Sequence, residues 1–244
     1  MIILGVDIGG SGIKAAPVDI KTGKLLAERY RIPTPNPSTP TAVADSINKI
    51  RKQFNWTGKI GCGFPAVINN GIVCTASNID KKWLGVDVIQ ILKKTTGCKL
   101  VVLNDADVAG IAEMKFGAGK KVSGLTIIIT VGTGIGTAMF TGKKLVPNTE
   151  FGHLMLNGMI AEHYASDAVR KNENLSWKNW TFRFNEFLSE IDRLLWPDLI
   201  IIGGGASKKF EKYSHYLETK TKIIPAKLLN NAGIIGAALT ARNL

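Results

Sequence analysis

The chain has 244 residues, 45% hydrophobic and 20% charged. That is enough to bury a core without disulfide or metal staples, and too ordinary for a disordered chain. Lys and Arg outnumber Asp and Glu by 31 to 19, a formal charge of +12, which points to a polyanionic partner or to plain solubility.

No apolar run is long enough to span a bilayer, and the first one stops at Asp7 without a basic leader. Cys62, Cys74 and Cys98 show no C-x-x-C spacing. A reduced, cytoplasmic protein without a zinc framework is expected.

Strands alternate with helices along the chain. Strands are expected at residues 2–8, 13–18 and 25–32, with glycines at 9, 10 and 12 between the first two. Four prolines in residues 33–40 exclude a regular element. Val43, Ile47, Ile50 and Phe54 then give a helix over 41–54. A strand at 59–63, a helix at 86–94 and a β-branched strand at 100–103 follow. Asp105 or Asp107 caps a helix running to about Phe116. Glycines at 117 and 119 break it, and strands are expected at 125–130 and 137–140, around a glycine turn at 132–136. Residues 158–195 read as helical with a break at 173–176. A strand at 199–202, a helix from Ala206, a strand at 223–225 and a helix over 232–242 complete the chain.

The opening pattern returns once. Residues 6–9, Val-Asp-Ile-Gly, correspond to Ile-Thr-Val-Gly at 129–132, an offset of about half the chain. Each copy reads strand, glycine turn, strand. Two related α/β halves are expected, with a boundary near 105–118 and a cleft between them.

The residues at the two turns suit phosphate. Glycines let backbone approach a ligand closely, and successive N–H groups form an anion nest. At the first turn these are Gly9, Gly10, Ser11 and Gly12, with Asp7 placed to orient a divalent cation through water and Lys14 to add positive charge. At the second they are Thr130, Gly132, Thr133 and Gly134. A plain hairpin explains either turn alone. Neither is a Walker A or a dinucleotide fingerprint, since each leads into a strand.

In order and spacing these motifs resemble the ASKHA phosphotransferases, and within them the ROK sugar kinases, over essentially the whole chain. The resemblance implies an α/β protein of two actin-like (ribonuclease H-like) domains with an interdomain cleft. Residues 1–110 would form the first, with helix 231–244 packing back on it, and 111–230 the second. Gly203, Gly204 and Gly205, followed by Lys208, look like the segment facing the donor, whether nucleotide or polyphosphate.

Leu103-Asn104-Asp105-Ala106-Asp107 is the catalytic candidate. A carboxylate at a strand end suits the base that takes a sugar hydroxyl's proton during phosphoryl transfer. It equally suits a helix cap, and the two roles stand level on the residues alone. The resemblance assigns the base to Asp105 and sugar contacts to Asn104 and Asp105. Glu150 and His153, three apart, match the family's E-x-G-H sugar motif, and Glu162 stands where a second sugar-binding Glu is expected. Gly63, Phe64 and Asn78 fall where the family wraps the sugar, although Phe64 and Trp83 also read as ordinary core. Residues 154–180 contain no cysteine, so the family's structural zinc is not expected.

The zinc-less segment around Trp177 and Trp180, and the Asn-Ile-Asp-Lys-Lys-Trp run at 78–83, are similar to the polyphosphate glucokinase branch. That implies glucose as acceptor, inorganic polyphosphate or ATP as donor, Mg²⁺ as cofactor and a homodimer, with Trp177, Trp180 and Phe184 as interface or core. It implies no membrane and no specific nucleic acid as partner. Lys14, Lys120, Lys121, Lys143, Lys144, Arg170, Lys171, Lys208, Lys209 and Lys212 are candidates for a polyanion track. An ATP-dependent ROK hexokinase and a ROK-type sugar sensor are the alternatives.

Overall fold

The structure, a computed structural model, describes residues 1–244. The chain forms two units, Met1–Ala112 with Asn231–Leu244, and Glu113–Asn230.

In the first unit, β1 (Ile2–Gly9) and β2 (Gly12–Asp19) form an antiparallel hairpin, followed by β3 (Lys24–Leu25) and β4 (Tyr30–Ile32). Helix α1 (Pro40–Gln53) starts with Thr39 accepting the Ala42 N–H and with proline at its first position, where no N–H is needed. Then come β5 (Ile60–Phe64), the two-residue strands β6 (Ile68–Asn69) and β7 (Ile72–Val73), helix α2 (Val88–Thr96), β8 (Leu100–Asn104) and α3 (Asp105–Phe116). The sheet order is β3-β2-β1-β5-β8, with β4 also on β2. Residues 25–32 are therefore not one strand. The edge breaks after Leu25 and resumes at Tyr30, which places Arg31 opposite Lys14.

The second unit repeats this plan. Strands β9 (Thr126–Val131), β10 (Ile135–Thr141) and β11 (Lys144–Val146) form the meander. The hairpin β12 (Met155–Leu156) and β13 (Met159–Ile160) leads to α4 (Ala161–Ala165), α5 (Asp167–Asn172) and α6 (Trp177–Leu195). After β14 (Leu199–Gly203), α7 (Gly204–Ser207) is a single turn, and β15 (Ile223–Pro225) ends the sheet. Its order, β11-β10-β9-β14-β15, is that of the first sheet strand for strand. The helical stretch expected at 158–195 is interrupted at Ser166 as well as at 173–176, and the helix expected from Ala206 is only the one turn of α7.

Helix α8 (Ala232–Thr240) covers one face of the first sheet. The strands alternate. Leu4, Val6, Ile60 and Cys62 face the core shared with Val43 and Ile47 of α1, while Gly5 and Gly61 face α8. A Cβ at Gly5 would stand 2.0 Å from the Ile234 carbonyl oxygen, and one at Gly61 1.7 Å from that of Ala237. Glycine is required there by backbone contact. In the second unit, Ile127, Ile129 and Ile202 pack on Trp180, Phe184, Phe187 and Ile191. Trp180 and Phe184 are fully buried, hence core and not interface.

Candidate phosphotransfer site

Asp7 lies near the end of β1, on the face turned to α8. Its Oδ2 is 3.5 Å from the Lys14 ammonium across the hairpin. Burial raises its pKa above the usual carboxylate value, with Lys14 and Arg29 pulling the other way. Next to it, Gly9, Gly10, Ser11 and Gly12 make the turn, and a Cβ on Gly10 would be 3.4 Å from the Asn78 carbonyl oxygen. Asn78 is exposed beside the turn. The Asn78 segment is anchored through Ser38, which accepts the Asp80 N–H and the Trp83 indole N–H.

Asp105 opens α3 directly after β8, as the pattern of a strand ending on a carboxylate predicts. Its Oδ1 accepts the N–H of the next residue, Ala106, at 2.8 Å. The cap is Asn104, whose Oδ1 accepts the N–H groups of Ala106 (2.8 Å) and Asp107 (3.2 Å), while its Nδ2 donates to Ala66 O. Asn104 is buried, and its Oδ1 supports the start of α3 beneath Asp105. Asp107 is buried. Gly63, on the neighbouring strand, makes room for this start: a Cβ there would lie 2.7 Å from Val108 Cγ2 and 3.5 Å from the Asp105 Cα. Phe64 is fully buried, edge-on to Trp83 at 4.8 Å. Its ring belongs to the core and offers no face to a sugar.

In the second unit, Glu150, His153 and Glu162 come together. His153 Nδ1 is 3.9 Å from Glu150 Oε2, and its Nε2 is 3.7 Å from Glu162 Oε1. The Glu150 segment is pinned to β10. Thr137 donates to Thr149 O and accepts the Phe151 N–H, and a Cβ on Gly152 would strike the Ile135 carbonyl at 2.0 Å. Burial pushes the Glu150 carboxyl up; His153 opposes this and Glu162 adds to it. Glu162 Oε2 also accepts the Ile135 N–H at 3.4 Å and fills the space a Cβ of Gly134 would need. The sugar-motif residues and the second glycine turn are thus in contact. Such a set accepts and donates to vicinal hydroxyls.

At that turn Thr130 donates to Gly136 O at 3.3 Å, Thr133 is exposed, and no protein atom lies within 4 Å of a Cβ built on Gly132. Gly203 is buried against Thr130. Gly204 has φ +71° and bridges Val131, where a Cβ would clash with the Val131 carbonyl at 2.4 Å. Gly205 and Lys208 are exposed beside it.

The lysines divide. Arg170 and Lys171 are ion-paired to Asp167 at 2.8 and 2.6 Å, and Arg170 also lies over the Trp177 ring at 4.0 Å. Both are engaged in holding α5. Lys143 donates to Lys120 O, which groups Lys120, Lys121, Lys143 and Lys144. They lie at the end of β10 opposite the glycine turn, about 20 Å away at the rise of a strand. Lys14 lies beside the first turn, and Lys208 directly follows α7, whose Gly204 bridges Val131. Arg31, absent from the expected track, sits on the first turn. Its exposed edge-strand position gives no periodicity to mark it.

No group of three His, Cys, Asp or Glu side chains is placed to hold a metal ion, and no helix is long and apolar enough to cross a membrane.

A sequence profile described as the ROK family matches residues 3–174. The chain is 43% identical to a polyphosphate glucokinase of Mycobacterium tuberculosis, over 97% of this chain and 90% of that one. Among solved structures, the inorganic polyphosphate/ATP-glucomannokinase of Arthrobacter sp. strain KM matches at a TM-score of 0.95 and 42% identity, covering 98% of each chain. A ROK family glucokinase from Streptomyces griseus, in complex with glucose and AMPPNP, matches at 0.86 over the whole of both chains, and at 24% identity it speaks for the two-domain ASKHA-type fold alone.

Proposed function

The chain belongs to the ROK family, and we propose that it is a kinase moving a phosphoryl group from inorganic polyphosphate, and also ATP, to the 6-hydroxyl of glucose. The observation that carries this is the near full-length likeness to polyphosphate glucokinases. Mannose is the second acceptor to try, given the glucomannokinase neighbour.

Asp105 takes the proton of the 6-hydroxyl as its oxygen attacks the terminal phosphorus in line. The new bond is O6–P. The bond that breaks joins that phosphorus to the bridging oxygen, which leaves with a donor one phosphate shorter. Glu150, His153 and Glu162 hold sugar hydroxyls and fix the reacting geometry. The amides of residues 9–12 and 132–134, with Lys14, meet charge on the donor phosphates. Gly203, Gly204, Gly205 and Lys208 face the donor's far side.

Mg²⁺ fits this donor set as an ion carried mostly by phosphate and water. Asp7 is one partly open carboxylate at a phosphate turn, with no protein cage around it. Held there through water, the ion would neutralise phosphate charge. A cytoplasmic homodimer completes the proposal; light scattering on the eluting protein tests the dimer.

The test is glucose 6-phosphate formation with Mg²⁺, polyphosphate against ATP, with Asp105→Asn as control. Turnover with polyphosphate that the variant loses is the expected result. Turnover with ATP alone leaves a ROK hexokinase, and none with any hexose leaves the sugar sensor.

A further inference from the structure

We propose that Arg31 and Thr34 are positioning residues for the donor phosphate, acting through the first glycine turn and resting on the phosphotransferase reading above. The turn is not an ordinary hairpin. The other tight hairpins of this chain, at Asn70 and Gly71, Gly142 and Lys143, and Asn157 and Gly158, take left-handed φ at both central residues, the conformation that matches strand twist. Gly10 and Ser11 do not. A turn that departs from the favoured geometry needs to be held, and two side chains from β4 and the loop after it hold it. Thr34 Oγ1 donates to Gly9 O at 2.5 Å, and Arg31 Nη2 donates to Ser11 O at 2.9 Å. The guanidinium lies so close over Gly12 that a Cβ there would be 2.7 Å from Nε and Nη2.

A trans peptide sets its N–H opposite its C=O. Fixing the Gly9 carbonyl therefore fixes the direction of the Gly10 amide, which meets phosphate, while Arg31 braces the Ser11–Gly12 peptide that closes the hairpin on Gly9. The charges agree with an anion at this place. Asp7, Lys14 and Arg31 are successive register partners across β1, β2 and β4, so they share one face of the sheet. Like charges directly opposite on paired strands are destabilising. Lys14 and Arg31 stand so, with only Asp7 in the row to offset them.

The experiment is calorimetric titration of Mg²⁺-tripolyphosphate into the full chain and its variants, beside steady-state constants for polyphosphate, ATP and glucose. Arg31→Ala is expected to weaken tripolyphosphate binding about tenfold, the scale of one charge-assisted hydrogen bond, and Thr34→Val about fivefold, the scale of a neutral one, each raising the donor KM equally. The glucose KM stays within about twofold. Thr34→Ser, which keeps the hydroxyl, restores wild-type binding. Arg31→Lys restores only part, since an ammonium lacks the fork that spans Ser11 and Gly12. Should Arg31→Ala fail to fold, the Thr34 pair decides. Wild-type affinity in both Arg31→Ala and Thr34→Val, with an active wild type, overturns the proposal alone. A wild type that neither binds nor uses any phosphate donor overturns the phosphotransferase reading as well.

Discussion

A Cβ on Gly233 would stand 2.7 Å from the Asp7 carboxyl carbon. The first turn of α8 is thus the floor on which this carboxylate rests, and no side chain fits between them. Gly233→Ala pushes the carboxylate, not backbone, so the fold is kept while the aim of the group changes. The expected result is a fall in kcat of about ten- to a hundredfold, the scale of small misplacements, with the glucose KM unchanged. Steady-state kinetics beside a melting curve checks it.

Asp7 also gives a pH prediction. Its pKa is raised in the folded chain, chiefly by burial. The native state then holds a proton that the unfolded chain has released, and stability falls as pH rises from the usual carboxylate range through the folded value. Asp7→Asn has no such loss. It should melt higher than wild type at pH 7 and show no advantage below the ordinary carboxylate pKa, while losing about a hundredfold or more of kcat. A melting series from pH 3 to 8 tests the sign.

Asp167 has the opposite sign. Burial acts to raise its pKa, but the hydrogen bonds from Lys171 and Arg170 outweigh it and hold the carboxyl below its usual value. The stability this contributes is present above the unfolded pKa and is lost as pH falls through the folded one. Asp167→Asn is expected to cost about 2 kcal/mol at pH 7, measured by urea unfolding, with the difference vanishing in acid.

Asp105→Asn removes the proton acceptor but keeps an amide oxygen for the Ala106 N–H, which Asn104 also accepts. A loss of about a hundred- to ten-thousandfold in kcat is expected, with an unchanged melting temperature. A variant that melts well below wild type would return Asp105 to a structural role.

Glu162→Gln keeps an oxygen for the Ile135 N–H but removes the charge facing His153 and His163. The glucose KM should rise about tenfold, the scale of one hydrogen bond to a charged group, with the polyphosphate KM unchanged. Calorimetry with glucose alone gives the same answer without turnover.

The duplicated architecture was legible because strand, glycine turn and strand recur at 6–9 and 129–132, and β-branched runs leave little alternative. Gathering Glu150, His153 and Glu162 was legible only through the family's motif, since three polar residues over thirteen positions carry no periodicity. Asn104 and Asp105 show where sequence runs out. Either residue can cap, and only the hydrogen bonds show the division: Asn104 accepts the N–H groups of Ala106 and Asp107, while Asp105 accepts only that of its neighbour Ala106. The hairpins at 68–73 and 155–160 did carry a signal in Asn70-Gly71 and Asn157-Gly158, whose left-handed pairs suit a two-residue turn. Their two-residue strands are too short to alternate. Arg31 and Thr34 bind backbone carbonyls some twenty to twenty-five positions away, and no local pattern encodes that.

Helix α8 closes on Gly5 and Gly61 although some 170 to 230 positions separate them. A chain made from its N-terminus onward therefore finishes the middle unit, Glu113–Asn230, before the outer one receives its last helix. Until then the glycine-lined face of β1 and β5 that carries Asp7 is bare. During synthesis the half that carries Asp7 and Asp105 matures last, so stalled or truncated chains would display an open sheet for chaperones to cover.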